Sequence, residues 1–402
     1  MAPVAEAPPS MRGTPVQRRD PTPGRPNALS LLRRFGGSSL SYMATWRGVR
    51  HWSTPDGQVV VPYRLVGSVA LTISDPIGER SLIRGAVRQF TAHCRSNGWT
   101  PCLYSISEEV STLLATDGWQ LLRVADDARV PLELLQFTGR RWQDIRTAQN
   151  RARREGLVAD WISFPASAAA ITEQIEEISA AWMAQKEMPE MTFTLGGIDE
   201  LRDDRVRCLI AVDAEHRVQA VTSWLPVYRA GATVGWTLDM MRRRPEATNG
   251  VMEFLIATAA MQFKQEGAEF LSLSGTPLTS AQHECRVPRL QRLLEHSGRL
   301  LEPVYGSRAL QAFKAKFQPV YLPLYLAYPD VTSLPRIGRA VMRAYLPGLT
   351  VRRALRLAVT VLRGSRRARS RGSSASVAVT HRAQPEVAAC RCARSRMRRQ
   401  GG

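Results

Sequence analysis

The chain has 402 residues, a hydrophobic content of 44% and a formal net charge of +20. This length and composition allow two domains, or one large α/β unit, with a well-buried core. No stretch approaches the roughly 18 consecutive apolar residues of a transmembrane helix, and the proline-rich N-terminus lacks the apolar stretch of a signal peptide.

The positive charge is concentrated at the two ends of the chain. Residues 351–402 contain 14 arginines and one acid, and residues 1–50 contain eight arginines and two acids. Basic ends of this kind bind an anionic partner, either nucleic acid or an acidic membrane surface, or act as disordered solubilising tails. The residues between them carry little net charge.

The six cysteines show no CxxC pair and no regular spacing. This usage predicts a reduced, cytoplasmic chain without a structural metal.

The first half of the chain alternates strand and helix patterns. Strand-like runs cover residues 59–66, 68–73, 102–106 and 119–124, and helical spacing covers 79–94 and 110–115. The pattern predicts a mixed α/β half that follows a disordered N-terminus.

A basic helix follows at residues 140–156. It carries six arginines and a thin apolar stripe that includes Trp142, Ile145 and Ala152. It is either a solvated connector between the two halves or a basic surface for phosphates.

The second half repeats the order of the first half. A helix at 168–186 precedes strands at 207–212, 218–225 and 234–242, a helix at 251–265 and a strand at 269–274. Two similar halves of this order predict an α/β fold with mixed sheets flanked by helices, as in tandem acyltransferases of the GCN5-related kind. The predicted divisions are 1–28, 29–139, 140–156, 157–330, 331–363 and 364–402.

An acid and a base stand three residues apart at the end of the 234–242 strand. Asp239 and Arg242 precede a turn around Pro245 and Asn249-Gly250, and a helical pattern starts at Val251. Backbone N–H groups are exposed at a helix start, where negative charge is favoured. The stretch therefore predicts a polar reaction centre, with a structural ion pair as the alternative.

Two lysines lie beside aromatic residues near the end of the second half. Phe313 and Phe317 are four residues apart and pack inward if the stretch is a helix. Lys314 and Lys316 are then either held at the edge of a cleft or ordinary surface lysines.

The C-terminal region is predicted to contain basic amphipathic helices over 331–363 and a disordered Arg/Ser-rich tail over 364–402. Arginines at 352, 353, 356 and 363 share one face of a helical wheel. Such a helix lies on anionic lipid or packs on its own domain.

Several ordered motifs resemble one known family. Asp239-Met-Met-Arg242 followed by Asn249-Gly-Val-Met-Glu-Phe-Leu255, and Phe313-Lys-Ala-Lys-Phe317 followed by Tyr325-Leu-Ala-Tyr328, are similar to motifs of the phosphatidylglycerol lysyltransferases, the aminoacyl-phosphatidylglycerol synthases. Weaker matches begin at Ser74, Phe193 and Leu273. The resemblance covers roughly residues 30–330, the catalytic domain of that family, and implies a tandem GCN5-related acyltransferase-like fold.

The resemblance implies transfer of an amino acid from aminoacyl-tRNA to the headgroup of phosphatidylglycerol. In bacteria this reaction makes the membrane less anionic and often more resistant to cationic antimicrobial peptides. It implies no metal and no cofactor, with aminoacyl-tRNA and anionic phospholipid as partners. Because the membrane helices common in the family are missing here, we expect a cytoplasmic protein peripheral to the inner face of the cell membrane.

The resemblance also implies roles for the motif residues. Asp239 would accept the lipid hydroxyl proton or hold the ammonium group of the amino acid, and both roles stay open. Arg242 suits contact with an oxyanion or a phosphate, and Lys314 suits a lipid or nucleotide phosphate. Further predicted substrate-binding residues are Lys316, Asn249 and Glu187. Arg308-Ala309 stands where the family has a glycine.

Three other functions remain as alternatives. An acyl-CoA-dependent N-acetyltransferase needs a glycine-rich pyrophosphate loop, whereas residues 244–250 lack that glycine pattern. A peptidoglycan-bridge aminoacyltransferase shares the tandem fold and the tRNA donor but uses an amine acceptor. A non-catalytic membrane-binding relative would keep the fold without the chemistry.

Overall fold

The structure, a computed structural model, describes residues 28–185, 192–277 and 307–347. The first half contains α1 Ala28–Phe35, β1 Arg50–Ser53, β2 Val59–Val66, β3 Val69–Thr72, β4 Ile77–Gly78, α2 Ile83–Ser96, β5 Thr100–Ile106, α3 Glu108–Ala115 and β6 Gln120–Pro131.

The second half begins with the basic helix that was predicted at 140–156. Its elements are α4 Gln143–Arg154, β7 Val158–Ile162, α5 Ala169–Ala184, β8 Arg207–Val212, β9 Val218–Arg229, β10 Ala232–Arg243, α6 Val251–Gln265, β11 Phe270–Pro277, α7 Ser307–Ala315, β12 Val320–Tyr328 and α8 Leu334–Tyr345.

All the described strands join one mixed sheet in the order β1-β2-β3-β5-β12-β6-β11-β10-β9-β8-β7, and β4 pairs with β2 at the side. Each half contains an antiparallel pair followed by a parallel pair. In the first half these are β2–β3 and β3–β5, and in the second half β9–β10 and β10–β11. A helix crosses over between the parallel strands, α2 in the first half and α6 in the second. The predicted mixed α/β fold with flanking helices is therefore confirmed.

The two halves share strands at the centre of the sheet. β12, the last strand of the second half, lies between β5 and β6 of the first half, and β6 also pairs with β11. The division of the chain at 139 and 157 stays a prediction, since these strands cross between the predicted domains.

The helix α4 packs its apolar stripe against α6. Ile145, Ala148 and Ala152 are buried, and the arginines Arg140, Arg141, Arg153 and Arg154 are exposed. The contact with α6 requires glycine at position 250. This residue adopts φ +94°, and a Cβ there would lie 2.8 Å from Cβ of Ala148.

The helix α8 packs one face on the core that α5 also covers. Ile337, Ala340 and Ala344 are buried in that core, while Met342 on the outer face is 54% exposed. The predicted amphipathic helix around Arg352–Arg363 and the predicted disordered ends lie outside the described residues.

Among the described residues, every helix is too short or too polar to cross a membrane.

Candidate active site

The site lies where β10 and β11 separate. Their parallel pairing covers Gly235–Thr237 on β10 and Phe270–Ser272 on β11. Beyond these residues β10 has a bulge before Met241, and β11 has one before Gly275. We call the space between the two strands after this point the strand fork. After the last paired residues, the backbone N–H and C=O groups of β10 and β11 no longer bond to each other. Polar groups on either strand beyond this point can therefore face a ligand.

Asp239 lies on β10 just past the last pair. Its Oδ1 accepts a hydrogen bond from the Gly196 N–H at 2.8 Å, and its Oδ2 is buried with no hydrogen-bond partner among the residues that the structure describes. The pKa of the Asp239 carboxyl is raised to about 7, chiefly by burial and also by the neighbouring Glu200, while the Gly196 N–H and Arg242 oppose the rise. A carboxyl with a pKa near neutrality is suited to general base catalysis, and its unsatisfied oxygen is the atom free to accept a proton.

The loop that carries Gly196 also orients Glu200. The Gly197 N–H donates to Glu200 Oε2 at 2.7 Å. Two consecutive glycine N–H groups therefore hold two neighbouring carboxylates. In the sequence Phe193-Thr-Leu-Gly-Gly197 indicated only a loop and a weak family match, and Glu200 itself gave no signal.

Arg242 is 4% exposed and lies against α5. Its Nη1 donates to Ser179 Oγ, and its guanidinium carbon lies 4.9 Å from the centre of the Trp182 ring. The arginine is therefore fixed in orientation, and its positive charge favours the ionised form of Asp239. Ser179 and Trp182 were assigned only to the predicted helix at 168–186, because helical periodicity does not reveal contact with a strand.

Lys314 is not an ordinary surface lysine. It is 4% exposed, and its Nζ donates to the carbonyl oxygens of Ser274 at 3.2 Å and Gly275 at 2.9 Å. Both carbonyls belong to the β11 side of the strand fork, where Ser274 adopts φ +65°. Burial lowers the pKa of Lys314 to about 8, and the charge of Asp127 opposes that shift. The structure thus brings Asp239 and Lys314 to the two strands that form the fork.

A buried polar network ties the fork to the centre of the sheet. Asp127 on β6 accepts hydrogen bonds from Ser39 Oγ at 2.6 Å, Arg129 Nε at 2.6 Å and Ser272 Oγ. The Ser39 carbonyl in turn accepts from Thr237 Oγ1 at 2.7 Å. Ser39 therefore links the last paired residue of β10 to the carboxylate that faces Lys314. Sequence patterns did not predict this network, since its members come from four separate segments.

The remaining predicted residues lie apart from these contacts or outside the structure. Lys316 Nζ lies 2.6 Å from Glu253 Oε1 in an ion pair with α6. Asn249 is exposed in the turn before α6, where its carbonyl accepts from Arg151 Nη1 at 3.2 Å. Glu187 lies outside the described residues. The substrate-binding roles of all three stay predictions.

A cavity of about 300 Å³ opens beside Glu200. Its walls include the aromatic rings of Tyr42 and Trp46 and the acids Asp199 and Asp203. The Tyr42 hydroxyl donates to Asp203 Oδ2 at 2.6 Å, and the Trp46 indole N–H is buried without a partner among the described residues. Arg47 and Arg202 also line the cavity, so its aromatic walls carry charges of both signs and are suited to a small zwitterionic group.

The family model for the C-terminal region of phosphatidylglycerol lysyltransferase matches residues 29–328. The chain belongs to this family. The match includes both strands of the fork, together with Asp239, Arg242 and Lys314, so the family assignment and the geometry concern the same region.

Three relatives are similar to this chain over most of its length. The chain is 39% identical over 323 residues to an uncharacterized protein of Corynebacterium glutamicum, covering 80% of this chain and 41% of the relative. It is 29% identical to the lysylphosphatidylglycerol biosynthesis bifunctional protein LysX of Nocardia farcinica (77% of this chain, 28% of the relative). It is 25% identical to the phosphatidylglycerol lysyltransferase of Bacillus subtilis (76% and 35%). The chain thus spans less than half the length of these relatives.

Two solved structures share the fold. L-PGS from Bacillus licheniformis has a TM-score of 0.69 at 23% identity, covering 79% of this chain and 95% of that one. The C-terminal domain of a putative lysylphosphatidylglycerol synthetase from Agrobacterium fabrum also has a TM-score of 0.69, at 21% identity, covering 80% and 96%. The predicted membership of this family is confirmed.

Proposed function

We propose that this protein transfers an amino acid from aminoacyl-tRNA to the glycerol headgroup of phosphatidylglycerol. The observation that carries the proposal is the Asp239 carboxyl at the strand fork, with one oxygen fixed by Gly196, the other unpartnered among the described residues, and a pKa of about 7. Family membership supplies the substrate class, because named relatives are phosphatidylglycerol lysyltransferases and LysX proteins.

The reaction is a transesterification. Asp239 Oδ2 removes the proton from a headgroup hydroxyl as the hydroxyl oxygen attacks the ester carbonyl of the aminoacyl group. The carbon–oxygen bond to the tRNA ribose then breaks, and the proton passes to the departing ribose oxygen. A base with a pKa near the working pH gives this transfer its greatest efficiency.

The two cations of the fork stabilise negative charge in this scheme. Arg242 is held by Ser179 and Trp182, and Lys314 is held by two carbonyls of β11. Fixed charges in a water-poor site need no reorganisation as an oxyanion forms, which is the largest contribution in many acyl transfers. Lys314 suits the phosphate of the lipid or of the terminal nucleotide.

A second role for Asp239 remains compatible with the contacts. With Glu200 beside it, Asp239 would bind the ammonium group of the amino acid, and the cavity next to Glu200 would receive part of the side chain. If Asp239 binds the ammonium group, the Asp239→Asn variant should have a higher KM for aminoacyl-tRNA. If Asp239 is the base, the variant should have a lower kcat.

The exposed arginines of α4 support tRNA as the donor. Arg153 and Arg154 are exposed in the last turn of α4, and Arg140 and Arg141 are exposed in the turn just before it. Neutralising phosphates with such residues makes binding strongly dependent on salt.

The outer face of α8 supports contact with an anionic membrane surface. Arg339 and Arg343 are exposed there beside Met342, an arrangement of basic and apolar groups that suits an anionic interface. A peripheral position on the inner face of the cell membrane follows from this proposal.

The test is transfer by the purified protein. Aminoacyl-tRNA labelled in the amino acid is mixed with vesicles of phosphatidylglycerol, and label in the lipid extract is measured for wild type and Asp239→Asn. Labelled lipid from wild type, reduced about 100-fold or more in the variant, is the expected result. Parallel mixtures supply a peptidoglycan precursor as the acceptor, or acetyl-CoA as the donor. Transfer in one of these mixtures, without label in the lipid, would assign the corresponding alternative function instead.

A further inference from the structure

Tyr345, the last residue of α8, is linked by hydroxyl groups to the loop that holds Asp239. Its hydroxyl oxygen lies 2.7 Å from Thr194 Oγ1 and donates to the Tyr104 hydroxyl at 3.2 Å. Because a phenol has a single hydrogen, Thr194 is the donor to Tyr345. A chain of three hydroxyls therefore runs from β5 through α8 to the loop.

The end of α8 also contacts the backbone of this loop. The Thr192 N–H donates to the Tyr345 carbonyl at 3.0 Å, and Thr192 Oγ1 donates to the Ala344 carbonyl at 2.8 Å. The Phe193 ring packs edge-on against Tyr345, with centroids 5.4 Å apart. The loop is thus fixed to α8 through three successive residues.

Phe193 adopts a backbone conformation that requires such support. Its φ is +80°, a strained value for a bulky side chain, although its ring is fully buried. Strained conformations persist where the surrounding contacts determine them. Here those contacts come from Tyr104 and Tyr345.

We propose that Tyr345 is a positioning residue for Asp239, which it serves by fixing loop 192–197 so that the Gly196 N–H remains on Asp239 Oδ1. This inference rests on the proposed function in one respect, which is the catalytic role of Asp239. It assigns a role to α8, which lies beyond the residues 29–328 matched by the family model.

The link has a measurable effect on Asp239. The Gly196 N–H lowers the pKa of this carboxyl, so a loosened loop lets that pKa rise. Arg242 is held by Ser179 and Trp182 and remains in place when only the Tyr345 hydroxyl is removed. Glu200 is oriented by the Gly197 N–H of the same loop, but its effect on the pKa of Asp239 is smaller than that of the Gly196 N–H, so the net shift stays upward. A purely structural role for Tyr345 would lower stability without moving the pKa of Asp239.

The test uses Tyr345→Phe, which removes one hydroxyl and keeps the ring packing. Thr194→Val removes the same hydrogen bond from the other partner. Tyr328→Phe is the matched control, since Tyr328 is a buried tyrosine of the same core. Two measurements are made on the full chain without substrate: hydrogen exchange of residues 192–197, and the pKa of Asp239 from carboxyl carbon NMR, assigned with Asp239→Asn.

We expect roughly fivefold faster exchange in Tyr345→Phe and Thr194→Val, the factor for the loss of about one hydrogen bond. We also expect an upward shift of the Asp239 pKa in both, non-additive in the double variant, and no change in Tyr328→Phe. Unchanged exchange, or an unchanged Asp239 pKa, would overturn the proposal. If Tyr345→Phe does not fold, Thr194→Val alone decides. Since neither measurement needs a reaction, the absence of lipid product from wild type would refute the proposed function and leave this test intact.

Discussion

The Gly196 N–H lies 2.8 Å from Asp239 Oδ1, and a Cβ at position 196 would lie 1.9 Å from Oδ2. The contact is so close that only glycine fits beside the carboxylate. The glycine of the loop and the acid of the strand are 43 residues apart in sequence, yet each limits what the other position can hold.

Substituting Gly196 should therefore displace Asp239. We expect Gly196→Ala to lower kcat by about 10- to 100-fold, because a misplacement of about 1 Å at a reacting group has effects of this size. Gly85→Ala is the control, since a Cβ at Gly85 in α2 meets open space. The control should keep full activity with equal or higher stability. Equal activity in both variants would show that Asp239 does not need its present position.

The pH dependence of turnover should be bell-shaped. Asp239 acts as a base only when deprotonated, so activity is lost as pH falls through about 7. Lys314 binds an anion only when protonated, so activity falls as pH rises through about 8. The measurement is kcat/KM across pH 5.5–9.5, a range that extends about 1.5 units beyond each of the two pKa values. Lys314→Met should lower kcat/KM and remove the alkaline limb, and an alkaline limb that persists in this variant would contradict the assignment.

Asp239 should also reduce stability at neutral pH. Its folded-state pKa is raised from 3.8 to about 7, so between these values the folded protein binds a proton that the unfolded chain has released. Stability therefore falls as pH rises through this window and stays lower above it. We expect Asp239→Asn to raise the free energy of unfolding by about 1–3 kcal/mol at pH 8 and by less at pH 4.5. Urea denaturation at the two pH values measures this, and a variant less stable than wild type at pH 8 would show that the ionised carboxylate is well accommodated.

The exposed arginines of α4 should contribute to tRNA affinity. We expect Arg153→Glu with Arg154→Glu to weaken tRNA binding by about 10-fold or more at low salt and to reduce the salt dependence by about one to two phosphate contacts. Arg95→Glu with Arg217→Glu is a charge-matched control, because Arg95 in α2 and Arg217 in the turn between β8 and β9 are both exposed and lie outside α4. Filter binding at several salt concentrations measures the tRNA affinity of the two double variants. Equal losses in the two pairs would indicate a general effect of net charge.

The sequence predicted those features of the site that lie within single elements. Asp239 and Arg242 share one strand, and Lys314 lies between Phe313 and Phe317 in one short stretch of sequence, so local spacing was enough to select them. The alternation of strands and helices similarly predicted two α/β halves, because hydrophobic periodicity is a local signal.

Features that depend on long-range contacts could not be predicted in this way. Gly196, Ser179 and Asp127 reach the site from other elements, and no periodicity connects them to the strand fork. The insertion of β12 between β5 and β6 likewise depends on strand pairing across the chain. The burial of Lys314 follows from the same assembly, since a lysine beside aromatic residues is exposed in many other folds.

The central claim, that Asp239 carries out aminoacyl transfer to phosphatidylglycerol, is tested most directly in the lipids of cells that produce this chain. Lipid extracts from cells with wild type, with Asp239→Asn and with no added protein would be compared by mass spectrometry. We expect an aminoacylated phosphatidylglycerol with wild type alone, and its mass identifies the amino acid. An equal amount of that lipid with Asp239→Asn would contradict the role of Asp239, and no such lipid with wild type would contradict the reaction itself.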